Sequence, residues 1–319
     1  MFADKVAVRQ VPQLGGLVIG TSSSLRAAAF VPGRGRVECG RVASQGWTWD
    51  ESLYAGSASH YAVGRMPYPP GMASALRDEL RLDGTGRLLD VGCGPGSLTL
   101  LLAPLFESAV GIDADAGMIG EAGRRGARAG IGNVEWRRMR AEDLPADLGA
   151  FRVVTFAQSF HWMDQDVVAR NVRGMLDGDG VWVHVFATTH RGAAGPDRLP
   201  YPAPPWDRID ALVARYLGPV RRAGQGFLPT GTRSGEEHVM RRAGFTGPKV
   251  VEVRRAEVFT RSVDDIVAAV FSLSGSAPHL FGKRLAAFED DLRRLLRTSS
   301  ADGLFAERAR DIAALIWRP

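Results

Sequence analysis

Residues 88–96 read LLDVGCGPG: an apolar run that closes on the acid Asp90, followed by glycine at every second position, Gly92, Gly94 and Gly96. The run, Arg87 to Val91, has the length and apolar character of a strand buried on both faces, and a helical pattern starts at Ser97. Glycines in a strand-to-helix turn let bare backbone approach a ligand, and the first N–H groups of the helix are available to an anionic group. This turn predicts a bound nucleotide or nucleoside, and the carboxylate placed just before it raises the question of which one.

Outward from the turn the chain alternates. Strands are predicted at Ala109 to Ile112, Val134 to Arg138, Phe151 to Ala157 and Gly180 to Phe186, spaced by helices at Ser97 to Phe106, Ala116 to Ala129 and Asp166 to Leu176. Apolar strands separated by helices form a parallel sheet covered on both faces through right-handed crossovers. The fold class is therefore α/β: a doubly wound, Rossmann-like, mostly parallel sheet. Further strands at Lys249 to Phe259 and Asp311 to Trp317 bring the count to seven.

Four segments follow from the changes in pattern. Residues 1–45 lack a sustained period, are punctuated by GG, SSS and PGRG, and read as a poorly ordered extension. Residues 46–187 hold N-terminal helices and the core. Residues 188–234, which include GAAGPDRLPYPAPPW and one amphipathic helix from Asp207 to Leu217, read as a lid or substrate-binding insertion, because an inert loop of that length is unusual inside a compact domain. Residues 235–319 complete the sheet and add helices at Val263 to Ser272 and Phe281 to Leu296.

Composition narrows the class of function. The 319 residues carry a formal charge of +5, spread over arginines such as Arg124, Arg125 and Arg128, with no basic run interleaved with aromatics; nucleic acid is not the expected partner. The two cysteines, Cys39 and Cys93, suit neither a disulfide framework nor a zinc site, and the apolar stretch Leu14 to Gly20 is too short to span a membrane. A soluble cytoplasmic protein, monomeric or homodimeric and without a metal, is expected.

In an open parallel sheet the ligand lies beyond the carboxyl ends of the strands, where the strand order reverses. Asp113 ends the second strand, about twenty residues past the first glycine, where a carboxylate accepts from ribose hydroxyls. Glu142 and Asp143 follow the third strand and can serve the ribose or the base edge. Together LLDVGCGPGSLT, GIDADAGMI, AEDLP and FRVVTFAQSFHWMD, in this order and spacing, resemble the successive motifs of class I S-adenosylmethionine-dependent methyltransferases. HYAVGRMPYPP upstream resembles the corresponding segment of small-molecule members of the trans-aconitate methyltransferase type.

The resemblance implies S-adenosylmethionine as cofactor and gives each motif residue a role. Asp90 anchors the methionine end, directly or through water, where a dinucleotide fold would keep the position apolar. Gly92, Cys93, Gly94 and Gly96 bring backbone to the cofactor, Asp113 holds the ribose, Asp143 accepts from the adenine amino group beside Glu142, and Ala114 and Met118 line the adenine face. Gln158, His161 and Trp162 face the cleft beside the sulfonium, with His161 either a general base or a packing residue. Tyr61 and Arg65 cover the methionine end, Arg65 meeting its carboxylate. The acceptor expected is a small molecule bearing a carboxylate, hydroxyl or amine, walled by Trp206, Tyr216 and Phe227. A noncatalytic regulatory protein that binds the same cofactor, and a nicotinamide-dependent oxidoreductase, are the competing readings.

Overall fold

A computed structural model describes residues 50, 52–193, 199–223, 226–227 and 235–319. The expected extension at 1–45 and parts of the 188–234 insertion lie outside the described residues. Helices α1 (Ala58–Gly64) and α2 (Pro70–Leu80) precede the sheet. The alternation then runs β1 (Arg87–Val91), α3 (Ser97–Leu102), β2 (Ser108–Asp113), α4 (Ala116–Ala129), β3 (Val134–Arg138), β4 (Phe151–Ala157), α5 (Gln165–Arg173) and β5 (Leu176–Phe186). Beyond it come α6 (Trp206–Leu217), the two-residue strands β6 (Arg222–Ala223) and β7 (Gly226–Phe227), α7 (Glu236–Arg242), β8 (Thr246–Val253) and β9 (Val258–Ser262). The chain ends with α8 (Val263–Phe271), α9 (Leu285–Ser299), β10 (Leu304–Arg308) and β11 (Ile312–Arg318).

Seven strands form one sheet in the order β3-β2-β1-β4-β5-β11-β8. Strands β1 to β5 pair in parallel, and β11 runs antiparallel to both β5 and β8. The order leaves β1 toward β2 on one side and toward β4 on the other, so the reversal point, where such sheets hold ligands, lies at the carboxyl ends of β1 and β4.

Period-two alternation assigns successive residues to opposite faces. Leu88, Val153 and Val183 pack with Met72, Leu76 and Leu98 under α2 and α3, while Leu89, Val154 and Trp182 pack with Val168, Val172 and Met240 under α5 and α7. Each of these buried side chains contributes about 1.5 to 3 kcal/mol of transfer free energy. Local caps fix where α4 starts and stops: Asp115 accepts from Met118 N–H at 2.9 Å, and Gly130 closes the helix in the left-handed region.

A third core lies apart from the sheet. Ile209, Leu212 and Val213 of α6 meet Ile266, Val270 and Phe271 of α8, Phe288 and Leu292 of α9, and Phe305 of β10. Strands β9 and β10 pair antiparallel as a separate two-stranded sheet. The helix of the 188–234 insertion and much of the 235–319 segment thus share one cap. The single strand expected at Lys249 to Phe259 is two strands in different sheets, β8 and β9, because the chain leaves the main sheet after Val253, where Arg255 N–H donates to Asp311 at 2.7 Å. The helix expected from Ser97 to Phe106 ends at Leu102 and tightens into a 3₁₀ turn over Ala103–Leu105, where Pro104 cannot donate. Two of the expected acceptor walls are cap residues: Trp206 Nε1 donates to Glu307 at 2.7 Å, and the Tyr216 hydroxyl donates to Asp291 at 2.9 Å while its ring packs on Phe288. The Phe227 side chain lies outside the described residues. No helix among the described residues is long and apolar enough to cross a membrane.

Candidate functional site

Backbone geometry at the end of β1 makes the site. Gly92 and Cys93 N–H both donate to Ile112 O, at 2.8 and 2.9 Å, which folds the turn back over the tip of β2. Gly92 has φ +68°, and a Cβ there would stand 2.5 Å from Ser159 Cβ. Gly94 has φ +55°, and a Cβ there would meet nothing within 4 Å, so the missing side chain leaves open space beside the backbone. That space belongs to a cleft of about 660 Å³, lined among others by Tyr54, Asp113, Met118, Glu142, Gln158 and Trp162. Gly92, Gly94 and Tyr61 also border a smaller cavity of about 400 Å³, together with Arg65, Tyr68, Cys93 and Thr189.

Asp113 lines the larger cleft. One carboxylate oxygen accepts from Gly94 N–H and the other from Asp115 N–H, each at 2.9 Å, which aims the group along the loop and leaves lone pairs for a ligand. Burial pushes its carboxyl up to about 6 against the pull of these two N–H groups. Ala114, Met118 and Gln158 line the same cleft. Gln158 has φ +55° and is pinned by its side-chain amide donating to Val185 O at 3.3 Å.

Tyr54, which the sequence did not single out, reaches the cleft from the turn before α1. Its ring meets Trp162 edge-on at 5.8 Å and Tyr61 at 6.5 Å, and burial raises its hydroxyl well above the usual tyrosine value, so it stays protonated. Arg65 stacks over the Tyr61 ring at 4.3 Å and is held by Ser272, donating to its hydroxyl at 2.8 Å and to its carbonyl at 3.1 Å. Met139 and Arg140 complete the cleft wall beside Glu142. Burial, with Asp113 and Asp90 nearby, pushes the Cys93 thiol well above its ordinary value, which keeps it an unreactive thiol.

Four expected residues are placed differently. Asp90 is 0% exposed and lines neither cavity; its two oxygens accept from Thr99 and Thr155 hydroxyls at 2.5 and 2.8 Å. It braces β1, α3 and β4 underneath the turn instead of reaching the methionine end. Gly96 lines neither cavity; a Cβ there would strike Trp136 at 2.6 Å, so this glycine is needed for packing. Asp143 is exposed and outside the cleft, whereas Glu142 borders it while accepting from Asp164 N–H at 2.8 Å. His161 also lines neither cavity. Burial alone lowers it to about 4, and its charge bears on His184, whose ring stands 3.3 Å from Glu236. Burial drives that pair toward neutrality from both sides, His184 down to about 3 and Glu236 up to about 7, so at neutral pH it is a hydrogen bond more than an ion pair.

The burial of Asp90 has a measurable sign. Its carboxyl ionises at an ordinary 3.8 in the unfolded chain and at about 6 in the folded one, so the folded state keeps a proton that the unfolded state has lost. Stability from this group is intact below pH 4 and is lost as the pH rises to about 6, a change of about 3 kcal/mol at most. Asp90→Asn carries no such proton. The difference in unfolding free energy between wild type and Asp90→Asn, from urea melts at pH 4 to 7, is expected to swing by that amount in the variant's favour.

A family model described as a methyltransferase domain matches residues 88–180, which run from β1 through the first half of β5. The uncharacterized methyltransferase YcgJ of Bacillus subtilis is 30% identical over 95 residues, 30% of this chain and 38% of the relative. A crystal structure of YcgJ has a TM-score of 0.45 at 16% identity, covering 78% of this chain and 98% of that one. The trans-aconitate 2-methyltransferase of Azoarcus sp. is 33% identical over 110 residues, 32% of this chain and 37% of the relative. The probable S-adenosylmethionine-dependent methyltransferase CRG1 of Saccharomyces cerevisiae is 26% identical over 136 residues, 40% of this chain and 45% of the relative. The chain thus spans less than half the length of these curated relatives. Residues 88–180 thus match a methyltransferase domain, and the likeness to these relatives extends over part of each chain.

Proposed function

We propose that the protein transfers a methyl group from S-adenosylmethionine to a small-molecule acceptor, acting in the cytoplasm as a monomer or homodimer. The observation that carries this reading is the Asp113 carboxylate, oriented by two backbone N–H groups into a cleft that the bare Gly94 backbone opens.

The residues fit the cofactor. Asp113 would accept from the ribose hydroxyls, Ala114, Met118 and Met139 would enclose the adenine, and Glu142 would border its edge. Gly92 to Pro95, with Tyr61, Arg65 and Tyr68 around the smaller cavity, would receive the methionine end, where Arg65 offers charge to its carboxylate. The cofactor supplies an electrophilic methyl on a sulfonium. Tyr54, Tyr61 and Trp162 line the larger cleft with aromatic rings, surroundings that favour a cation, while the buried Tyr54 hydroxyl stays a donor.

In-line displacement asks chiefly that the acceptor be held close, aligned and dry. With His161 outside both cavities, positioning accounts for catalysis here without it. His161→Ala is expected to keep kcat within about threefold of wild type, against the 10² to 10⁴-fold loss typical of removing a general base. Steady-state rates with an accepted substrate check this.

The test of the reading is calorimetric titration with S-adenosylmethionine and its demethylated product, followed by a mass-read screen of small acids, phenols and amines with labelled methyl donor. Micromolar binding and one labelled product support it. Binding of a pyridine dinucleotide in their place, or cofactor binding with no transfer to any acceptor class, would overturn it.

A further inference from the structure

A third cavity, of about 320 Å³, lies in the cap between α6, α8 and the segment that follows β5. Its polar lining is His190, Arg191, Asp210, Arg221 and Ser276, with Trp206 as an aromatic wall. Arg191 is partly satisfied: it reaches Asp210 at 3.4 Å and Asp207 at 3.7 Å and lies 5.1 Å over the Trp206 ring. Arg221 is not. Its Nε is buried without a hydrogen-bond partner, and among the described residues no carboxylate pairs with its guanidinium.

The cavity lining thus carries two guanidiniums and, in Asp210, one carboxylate, while Asp207 pairs with Arg191 from outside it. The surrounding field is positive too, since Arg65, Arg191, Arg261 and Arg310 all push the buried His190 ring further below its ordinary value. Of these, Arg261 is neutralised by a buried partner, Glu307, at 2.9 Å. A buried donor left unmade is expensive, and a guanidinium is a planar fork matched to two oxygens of one anion. Its lining is joined through chain neighbours to residues of the cofactor side. His190 follows Thr189, which lines the smaller cavity, and Leu273, which lines this one, follows Ser272, the residue that holds Arg65.

We propose that this cap cavity binds an anionic oxygen group of the methyl acceptor, a carboxylate or a phosphate, with Arg221 as its principal ligand and Arg191 as the second. The assignment to the acceptor rests on the methyltransferase reading above; the anion site itself rests on Arg221. Asp210 competes for Arg191, so removing its charge should strengthen anion binding while removing Arg221 weakens it.

Calorimetry on the full chain, with citrate and with inorganic phosphate as probes and with the demethylated cofactor titrated in parallel, separates the possibilities. Arg221→Gln is expected to weaken the bound probe about tenfold or more, and Asp210→Asn to tighten it several-fold, with cofactor affinity unchanged in both. Which probe binds in the wild type identifies carboxylate or phosphate as the group. Failure of both probes to bind folded wild type, or equal binding to Arg221→Gln, overturns the anion site. Arg221-dependent binding in a protein that ignores the cofactor overturns the acceptor assignment together with the methyltransferase reading and leaves an anion site of another use.

Discussion

Asp113→Ala is expected to weaken S-adenosylmethionine binding by at least about a hundredfold while leaving the fold intact. Two hydrogen bonds from ribose hydroxyls to a carboxylate contribute about 1.5 to 3 kcal/mol each, and a loss of about 3 kcal/mol is already a hundredfold in affinity. A further loss comes from the loop, because Gly94 and Asp115 N–H groups would have no acceptor where Asp113 now holds them. Asp113→Asn keeps one carbonyl oxygen and should fall between. The carboxyl ionises at about 6 in the free protein, so wild-type affinity should decline as the pH falls below that value, and the alanine variant should show no such dependence. Titrations at pH 5 to 8, with circular dichroism as a control for folding, check all three points. Equal affinity in wild type and Asp113→Ala would remove the basis of the cofactor assignment.

The contrast between Asp113 and Asp90 shows how far the sequence could be read. Strands β1, β3 and β4 and helix α4 have the bounds expected from the sequence because buried apolar runs, the Asp115 cap and Gly130 are local signals. Both acids stand at strand ends, yet only one faces the cleft. Asp90 has the parity of Leu88 and lies on the face beneath α3, where Thr99 and Thr155 close over it; Asp113 is the last residue of β2 and emerges past the sheet edge. The 3₁₀ turns raise the same difficulty at finer scale. Successive side chains there diverge by about 120°, so Glu142 borders the cleft while Asp143 is outside it, and Trp162 does while His161 does not. A motif fixes the turn but not which neighbour turns inward.

The cap was harder to read because its contacts are distant in sequence. Ser57 donates to Phe271 O across 214 positions, and Arg65 reaches Ser272 across 207. Strand β10 and the split between β8 and β9 depend on such pairings, and no local pattern encodes them. Tyr54 was missed for the same reason: it enters the site only because α1 is seated against α8.

That seating leads to the second large effect, at Gly64. A Cβ on this residue would stand 2.3 Å from Ala268 C and Ala269 N, backbone atoms of α8 that cannot turn aside as a flexible side chain would. The Gly64 carbonyl is also fixed, accepting from Arg261 Nη2 at 2.7 Å, and Arg261 is itself locked to Glu307. Gly64→Ala must therefore separate the two helices. Overpacking of this kind costs about 1 to 3 kcal/mol or more, which in a protein of this size lowers Tm by several degrees. Because α1 carries Tyr61 and leads into Arg65, the displacement should also weaken S-adenosylmethionine binding by about tenfold or more, a loss no surface substitution would cause. Gly132→Ala is the control: a Cβ there meets nothing within 4 Å, its φ is not in the left-handed region, and both Tm and affinity should stay at wild-type values. Calorimetric melts and titrations of the two variants decide the point, and a Gly64→Ala protein with unchanged Tm and affinity would mean that α1 does not pack on α8 at this distance.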